Sequence, residues 1–402
     1  MADRIVVTSL GIISALGRGA AENLHALINS RSGLRYLKHL QTVHASEFMT
    51  GEVDLSNEQM MDALSLPAGK EGYTRTTLLA LLAMEELLAN IDRESLKEES
   101  LAFINANTIG GMCSVEDLYW DFVGEKTEGK FLDYIDTLDC AESTLNISSH
   151  FDLKPFMATI STACSSSANS IVLGARMIKQ GIVKRAICGG CDALSRYTLN
   201  GFNSLKNLDR GISKPFDQNR MGLNLGEGAG YLLLESESSA KERGADILAV
   251  FTGYSNSNDA YHPTAPSPDG SGAYRTMQQA LDKAGLSASD IGYINAHGTA
   301  TINNDNAEGR AIEQLFGSGT LFSSTKPYTG HTLAAAGAIE AIFSLWALRD
   351  GLAFANLNFE TKMDELNITP VASLKTGLDN KHVLSNSFGF GGNNVSLIFS
   401  KA

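Results

Sequence analysis

Three short apolar segments occur twice in this chain, in the same order. Ile247-Leu-Ala-Val-Phe-Thr-Gly253 resembles Ile5-Val-Val-Thr-Ser-Leu10, and Tyr293-Ile-Asn-Ala-His297 echoes Phe103-Ile-Asn-Ala-Asn107. Phe322-Ser-Ser-Thr-Lys326 echoes Thr159-Ile-Ser-Thr-Ala163. Chance explains one such match between apolar strands better than three in order, so the pattern predicts a duplicated α/β unit. The natural halves are residues 1–245 and 246–402. From residue 6 to 104 the first half spends 98 residues where the second, from 250 to 294, spends 44. The insertions therefore sit in the first half and are expected to supply lid, partner and dimer elements. If the halves pack about a pseudo-twofold, equivalent strand ends converge. Cys164, His297, the loop after Lys326 and the glycine loop near the C-terminus then share one site.

Composition narrows what that site serves. With 402 residues, 43% hydrophobic and 19% charged, the chain has ample material for a core. A net charge of −13 argues against nucleic acid or an anionic membrane as partner. An acidic partner would need a local basic patch. Five cysteines without a disulfide framework, and no signal peptide before Arg4, fit a reducing cytoplasm. Cys188-Gly-Gly-Cys191 has no second pair to complete a zinc site and reads as strand packing. No metal-ligand cluster stands out. Residues 332–348 are nearly all apolar but carry Glu340 at their middle, which reads as a buried helix rather than a membrane span.

Along the chain, residues 4–11 form an opening strand, followed by a helix near 20–29. Residues 35–70 show no clear period. A helix is expected over 76–90 and a strand over 101–107. Residues 113–150 look like an elaboration over the surface, and 183–190 a further strand. Between the last two, a short buried strand, a tight turn carrying Cys164 and a helix to Lys179 are expected. That places Cys164 at a helix N-terminus, where unpaired N–H groups and the dipole favour a thiolate nucleophile. A packing cysteine is the plainer alternative, made less attractive by the three serines that follow. His297 ends a strand beside Gly298, and His331 starts the apolar helix. The His331 ring, at a helix N-terminus, is expected neutral. Glu340 needs a buried partner, for which Lys326 is available. Residues 385–399 form a glycine loop with Phe388 and Phe390 running into a strand. It lacks the strand–helix setting and lysine of a phosphate cradle.

Ser161-Thr-Ala-Cys164-Ser-Ser-Ser167, Asn295-Ala-His297-Gly-Thr-Ala-Thr301 with Asn304, Asp305 and Glu308, Ser324-Thr-Lys326 with Gly330-His331, and Asn386-Ser-Phe-Gly-Phe390-Gly-Gly392 together strongly resemble the beta-ketoacyl-[acyl carrier protein] synthases. The likeness is to the elongating, Cys-His-His kind. Pro215-Phe-Asp217, Gly226-Glu-Gly-Ala-Gly230, Asp259-Ala-Tyr-His262 and Thr264-Ala-Pro266 are similar too, as is the opening strand with Gly11 and Gly17. The resemblance spans the chain. It implies an α/β thiolase-like fold, five-layered α-β-α-β-α from two duplicated halves, usually a homodimer.

The resemblance also implies roles. Cys164 takes the acyl chain from the carrier's phosphopantetheine thioester, and its N–H with that of Phe390 forms the oxyanion hole. His297 and His331 stabilise the enolate left by malonyl decarboxylation. Lys326 and Glu340 order the site, and Phe390 gates it. Ile109 and Phe202 border the acyl pocket, Thr299 and Thr301 contact the pantetheine arm, and Phe388 and Gly391 face substrate. Lys206, with Lys70, Arg75 and Arg210, forms a basic patch for an acidic acyl carrier protein. No resident cofactor is implied, because phosphopantetheine arrives on the carrier. Met221-Gly-Leu223, Pro327-Tyr328 and Asn393 depart from the usual pattern and bear on acyl-chain preference. A degradative thiolase would show a second cysteine near the C-terminal loop, and a chain-starting synthase an asparagine at His331. A non-catalytic chain-length partner would lose Cys164. The same condensation in a polyketide or aryl-polyene pathway, or within a heterodimer, stays open.

Overall fold

The computed structural model describes all residues except 1–2, 68–71, 90, 93–95, 97–99, 125–127 and 130. In the first half, β1 (Ile5–Ser14), β2 (Leu101–Ala106), β3 (Phe156–Ile160), β4 (Arg185–Asp192) and β5 (Gly228–Ser236) lie side by side in the order β3-β2-β4-β5-β1. In the second, β6 (Ala249–Asn258), β7 (Ile291–Asn295), β8 (Phe322–Ser323), β9 (His382–Gly389) and β10 (Asn393–Ser400) lie in the order β8-β7-β9-β10-β6. Counted within each half, the two orders are identical. The three matched segments fall on the first, second and third strands of each. Strand senses repeat as well: the second strand pairs parallel with the third and fourth, and the other two pairings are antiparallel. β1 and β6 join the units through Val6–Val250 and Val7–Ala249.

Among the described residues, the helices of seven or more residues are α1 (Gly19–Ile28), α2 (Asn57–Ala63), α3 (Arg75–Leu88), α4 (Met112–Val123), α5 (Cys140–His150), α6 (Ser166–Lys179), α7 (Arg196–Ser204), α8 (Ser271–Ala284), α9 (Ile302–Phe316) and α10 (Ala336–Asp350). Three apolar clusters define the layering. α3 packs outside β1, β4 and β5. α6 and α10 lie together between the two halves of this continuous sheet. α8 and α9 cover the far face. The result is the α-β-α-β-α stack. α10 is buried without a break from Ala336 to Leu348, which is why it is apolar on every side rather than amphipathic. Among the described residues no helix is long and apolar enough to cross a membrane. At the contact of the central helices, a Cβ on Gly337 would sit 2.8 Å from the Ala168 backbone nitrogen.

Some expectations change. The strand before Cys164 is not buried: among the described residues β3 pairs only with β2, and Phe156 and Met157 are 56% and 39% exposed. Residues 35–70 contain α2, a helix too short to show periodicity, started by a capping box of Ser56 and Gln59. The described residues of the elaboration at 113–150 are mostly helical, and they expose Tyr119, Trp120, Leu132, Ile135 and Leu138. The helix expected over 76–90 is seen as far as Leu88, and residue 90 lies outside the described residues.

Candidate active site

Cys164 sits between β3 and α6, in a turn so tight that Ala163 adopts φ 52°. That conformation costs a residue with a Cβ and must be held. The serines hold it. Ser166 Oγ accepts from the Thr162 N–H at 2.8 Å, and its hydroxyl donates to the Ala163 carbonyl at 2.6 Å. Ser165 Oγ donates to the Thr162 carbonyl at 2.9 Å. Ser167 Oγ accepts from the Ala338 N–H of α10 at 2.9 Å, tying the nucleophile turn to the second half.

The thiol itself departs from the expected thiolate. Burial pushes its pKa to about 11, against the opposing pull of the Lys326 charge and the N–H groups of Phe390 and Cys164. Desolvation outweighs the helix terminus here. Both N–H groups nonetheless face the sulfur, the arrangement an oxyanion hole requires.

His297 follows β7 in a turn where Gly298 has φ 35°. The buried Glu308 carboxylate of α9 accepts from the His297 and Gly298 N–H groups, both at 2.8 Å, and from Asn386 Nδ2 at 3.1 Å. Ser324 Oγ donates to the Gly298 carbonyl at 2.7 Å. On the ring, Nδ1 lies 3.3 Å from Lys326 Nζ, which also pairs with Glu340 Oε1. An ammonium can only donate, so His297 accepts at Nδ1 and carries its hydrogen on Nε2, facing the cavity.

His331 is fixed through its backbone. Its N–H donates to the Asn224 carbonyl at 2.7 Å, and its carbonyl accepts from the Gly226 N–H at 2.9 Å. Gly51 and Gly226 leave just enough room: a Cβ on either would lie 1.8 or 2.2 Å from the Thr329 carbonyl oxygen. Nε2 lies 2.9 Å from Cys164 Sγ, and among the described residues Nδ1 has no partner. Burial holds both rings well below the ordinary histidine range, with the Lys326 charge adding to it, so both are neutral. The two rings stand edge to face, centroids 5.5 Å apart.

These groups open onto a cavity of about 270 Å³, lined also by Phe202, Thr299, Thr301, Phe388 and Phe390. The Phe202 and Phe390 rings stack at 5.6 Å. Lys206 is exposed at the rim. Gly391 adjoins the lining with φ 76°. Ile109 is not part of it; it is buried in the outer cluster of the first half, its N–H on Asp192. Arg75 is no part of a basic patch, because it is buried and bound to Glu227 at 2.5–3.0 Å. Arg210 is paired with Glu47 at 2.8 Å, and Lys70 lies outside the described residues. Asp192 went unnoticed in the sequence. It is fully buried and accepts from Thr108, Ile109 and Ala334, linking the ends of β2 and β4 to the turn after His331.

A buried thiol, two neutral imidazoles and paired N–H donors at converging strand ends define a thiolase-like condensing centre. Residues 2–240 match the beta-ketoacyl synthase N-terminal domain and residues 248–360 the C-terminal domain. The chain belongs to the beta-ketoacyl synthase family and is an acyltransferase with a Cys164-His297-His331 triad. It is 32% identical over 410 residues to 3-oxoacyl-[acyl-carrier-protein] synthase 2 of Staphylococcus aureus strain COL, covering 99% of this chain and 98% of that protein. To the protein of the same name from Rhizobium meliloti it is 34% identical over 418 residues, 99% of each. Among solved structures it is similar to the ishigamide ketosynthase/chain length factor, at 30% identity, TM-score 0.91 and 100% of both chains. It is also similar to the Xenorhabdus doucetiae ketosynthase ApeO in complex with its chain length factor ApeC, at 33% identity, TM-score 0.83 and 100% of this chain against 98% of that one.

Proposed function

We propose that this chain is a 3-oxoacyl-[acyl carrier protein] synthase that extends a carrier-bound acyl chain by two carbons in fatty acid biosynthesis, with halves 1–245 and 246–402. The observation that carries this reading is the 2.9 Å approach of His331 Nε2 to Cys164 Sγ beside the Nε2–H of His297. In the first step the sulfur attacks the acyl thioester carbon, and the oxyanion is received by the N–H groups of Cys164 and Phe390. The C–S bond to the carrier breaks, and the carrier sulfur takes the Cys164 thiol proton, which leaves His331 with its hydrogen on Nε2. Malonyl-carrier then binds, its thioester carbonyl oxygen facing the two histidines. Its terminal C–C bond breaks and carbon dioxide leaves. The enolate oxygen is held by two N–H donors whose removal typically costs about 3–4 kcal/mol each. The carbanion attacks the acyl-Cys164 carbon, a new C–C bond forms, and Sγ leaves. Thr299 and Thr301 bind the pantetheine arm, and Phe390 with Phe202 closes the acyl passage. Lys206 meets an acidic acyl carrier protein.

The test is incubation with acyl-carriers of graded length and malonyl-carrier, with products read by intact mass. An acyl adduct on Cys164 and carbon dioxide release are expected. Absence of any adduct would end the synthase reading, and an adduct without carbon dioxide would leave an acyltransferase. Cys164→Gln is expected to abolish condensation yet keep malonyl decarboxylation.

A second reading has its own support. The two solved structures named above are ketosynthase and chain length factor assemblies, and this chain exposes Tyr119, Trp120 and Leu132 on its helical insertion and Phe156 and Met157 on the edge strand β3. We infer as the alternative a polyketide or aryl-polyene synthase that pairs with a second subunit in place of a homodimer. Light scattering of the chain alone and after co-expression with a chain length factor encoded nearby separates the two.

A further inference from the structure

The two histidine rings are held in different ways. His297 is fixed at Nδ1 by Lys326 Nζ, whereas among the described residues Nδ1 of His331 has no partner and Nε2 meets the Cys164 thiol. The direction of the His331 ring is therefore set by its backbone. On one side the Asn224 carbonyl and the Gly226 N–H pin it. On the other the chain runs into a turn where Leu333 has φ 51°, a strained conformation that persists only when its surroundings enforce it. The next residue, Ala334, donates its N–H to Asp192 Oδ2 at 2.8 Å.

Asp192 ends β4, fully buried, and accepts three more hydrogen bonds: Oδ1 from the Thr108 and Ile109 N–H groups at 3.0 and 3.3 Å, and Oδ2 from the Thr108 hydroxyl at 2.6 Å. None of the four donors carries a charge, so burying a carboxylate here is costly. What it supplies is a short side chain that only accepts and has room for all four. We propose that Asp192 is the positioning residue for His331. Through the Ala334 N–H it locks the Leu333 turn and so keeps Nε2 aimed at the Cys164 sulfur and the malonyl carbonyl. Asp192 does not line the cavity and acts through the backbone alone. This rests on the role in decarboxylation proposed above for His331.

Asparagine is a selective probe of this tie. Its amide nitrogen in place of Oδ1 would face two N–H donors. In place of Oδ2 it donates to the Thr108 hydroxyl oxygen and opposes Ala334 alone. Asp192→Asn thus releases Ala334 and keeps the bonds to residues 108 and 109.

The test joins a spectroscopic readout to a kinetic one. In protein labelled with nitrogen-15 histidine, the ring signals of His331, assigned by their loss in His331→Ala, should shift or broaden in Asp192→Asn, and those of His297 should stay. In Cys164→Gln protein, Asp192→Asn should lower malonyl decarboxylation about 10- to 100-fold, in kcat and not in KM. Thr108→Val removes one bond to Asp192 but keeps the Ala334 tie, and it should cost no more than about threefold. Added to His331→Ala, Asp192→Asn should likewise cost no more than about threefold further. If the asparagine variant does not fold, Asp192→Ser, which accepts fewer donors, takes its place. An unmoved His331 signal, an equal loss in Thr108→Val, or a full further loss on top of His331→Ala would overturn the proposal. Normal decarboxylation by His331→Ala would instead end the role given to that ring, and the ring signal would still decide whether Asp192 positions it.

Discussion

Cys164 and His331 meet at 2.9 Å although one follows the third strand of the first half and the other the third strand of the second. The reacting pair is thus made by the duplication, and neither half contains it alone. Its energetics follow from burial. The thiol is pushed up to about 11, so the resting nucleophile is protonated. Alkylation of Cys164 by iodoacetamide, followed by peptide mass spectrometry, should accelerate about tenfold per pH unit between roughly pH 7 and 10. A plateau near neutrality would mean a preformed thiolate.

The histidines should behave in the opposite sense. Burial and the Lys326 charge hold both well below the ordinary range, so they stay neutral where exposed histidines charge. Malonyl decarboxylation by Cys164→Gln protein should therefore be flat from about pH 8 to 5.5. His297→Ala should lower it on the order of 100-fold or more. A loss of rate centred near pH 6.5 would place at least one ring in ordinary solvent.

Lys326 and Glu340 form a buried pair, with the Glu340 carboxyl pushed up by burial to about 7. Removing one partner leaves a buried unpaired group. Glu340→Ala should cost about 3–5 kcal/mol in urea denaturation. A Lys326→Met/Glu340→Leu double variant should recover much of that stability yet not the decarboxylation rate, since the donor to His297 Nδ1 is gone. Equal recovery of both would make the pair purely architectural.

Glu308 is pushed up by burial to about 7, above its unfolded value near 4.5. Between those values the folded state binds more protons than the unfolded one. Its contribution therefore favours folding at low pH and fades as pH rises through 7. Glu308→Gln removes that dependence. The stability difference, wild type minus variant, should shrink from pH 5 to pH 8 when followed by thermal melts. A difference that grows with pH would reverse the sign assigned to this carboxyl.

Gly51 and Gly226 set the seat of the His331 turn against the Thr329 carbonyl. Gly226→Ala should cost about 1–3 kcal/mol and slow condensation by displacing His331. Gly201→Ala in α7, where the new Cβ meets open space, should leave activity unchanged and add about 0.5–1 kcal/mol. Similar effects at both positions would argue against a seat.

Much of this site was readable before any coordinates. Strands one to three of each half share sequence, and Cys164, His297 and His331 stand at equivalent ends. The fourth and fifth strands did not reveal themselves as repeats. β9 and β10 form a hairpin closed by the glycine loop, whereas β4 and β5 are separated by residues 193–227, so similar pairings rest on unlike local patterns. Short-range chemistry misled in two places. A helix terminus promised a thiolate, but desolvation overrode it, and Arg75 looked like surface charge until Glu227 proved to be its buried counterion. Asp192 acts on backbone N–H groups 83, 84 and 142 residues away, a relation no local spacing records.

The contact between Gly337 and Ala168 leaves no space for even one added methyl group. The two helices that follow the nucleophile turn and the His331 turn are thereby locked at a fixed separation. Diversification of such an enzyme toward other substrates has no freedom at this axis. It must work through the rim, where Met221, Lys206 and the stacked phenylalanines can change size without moving the reacting atoms.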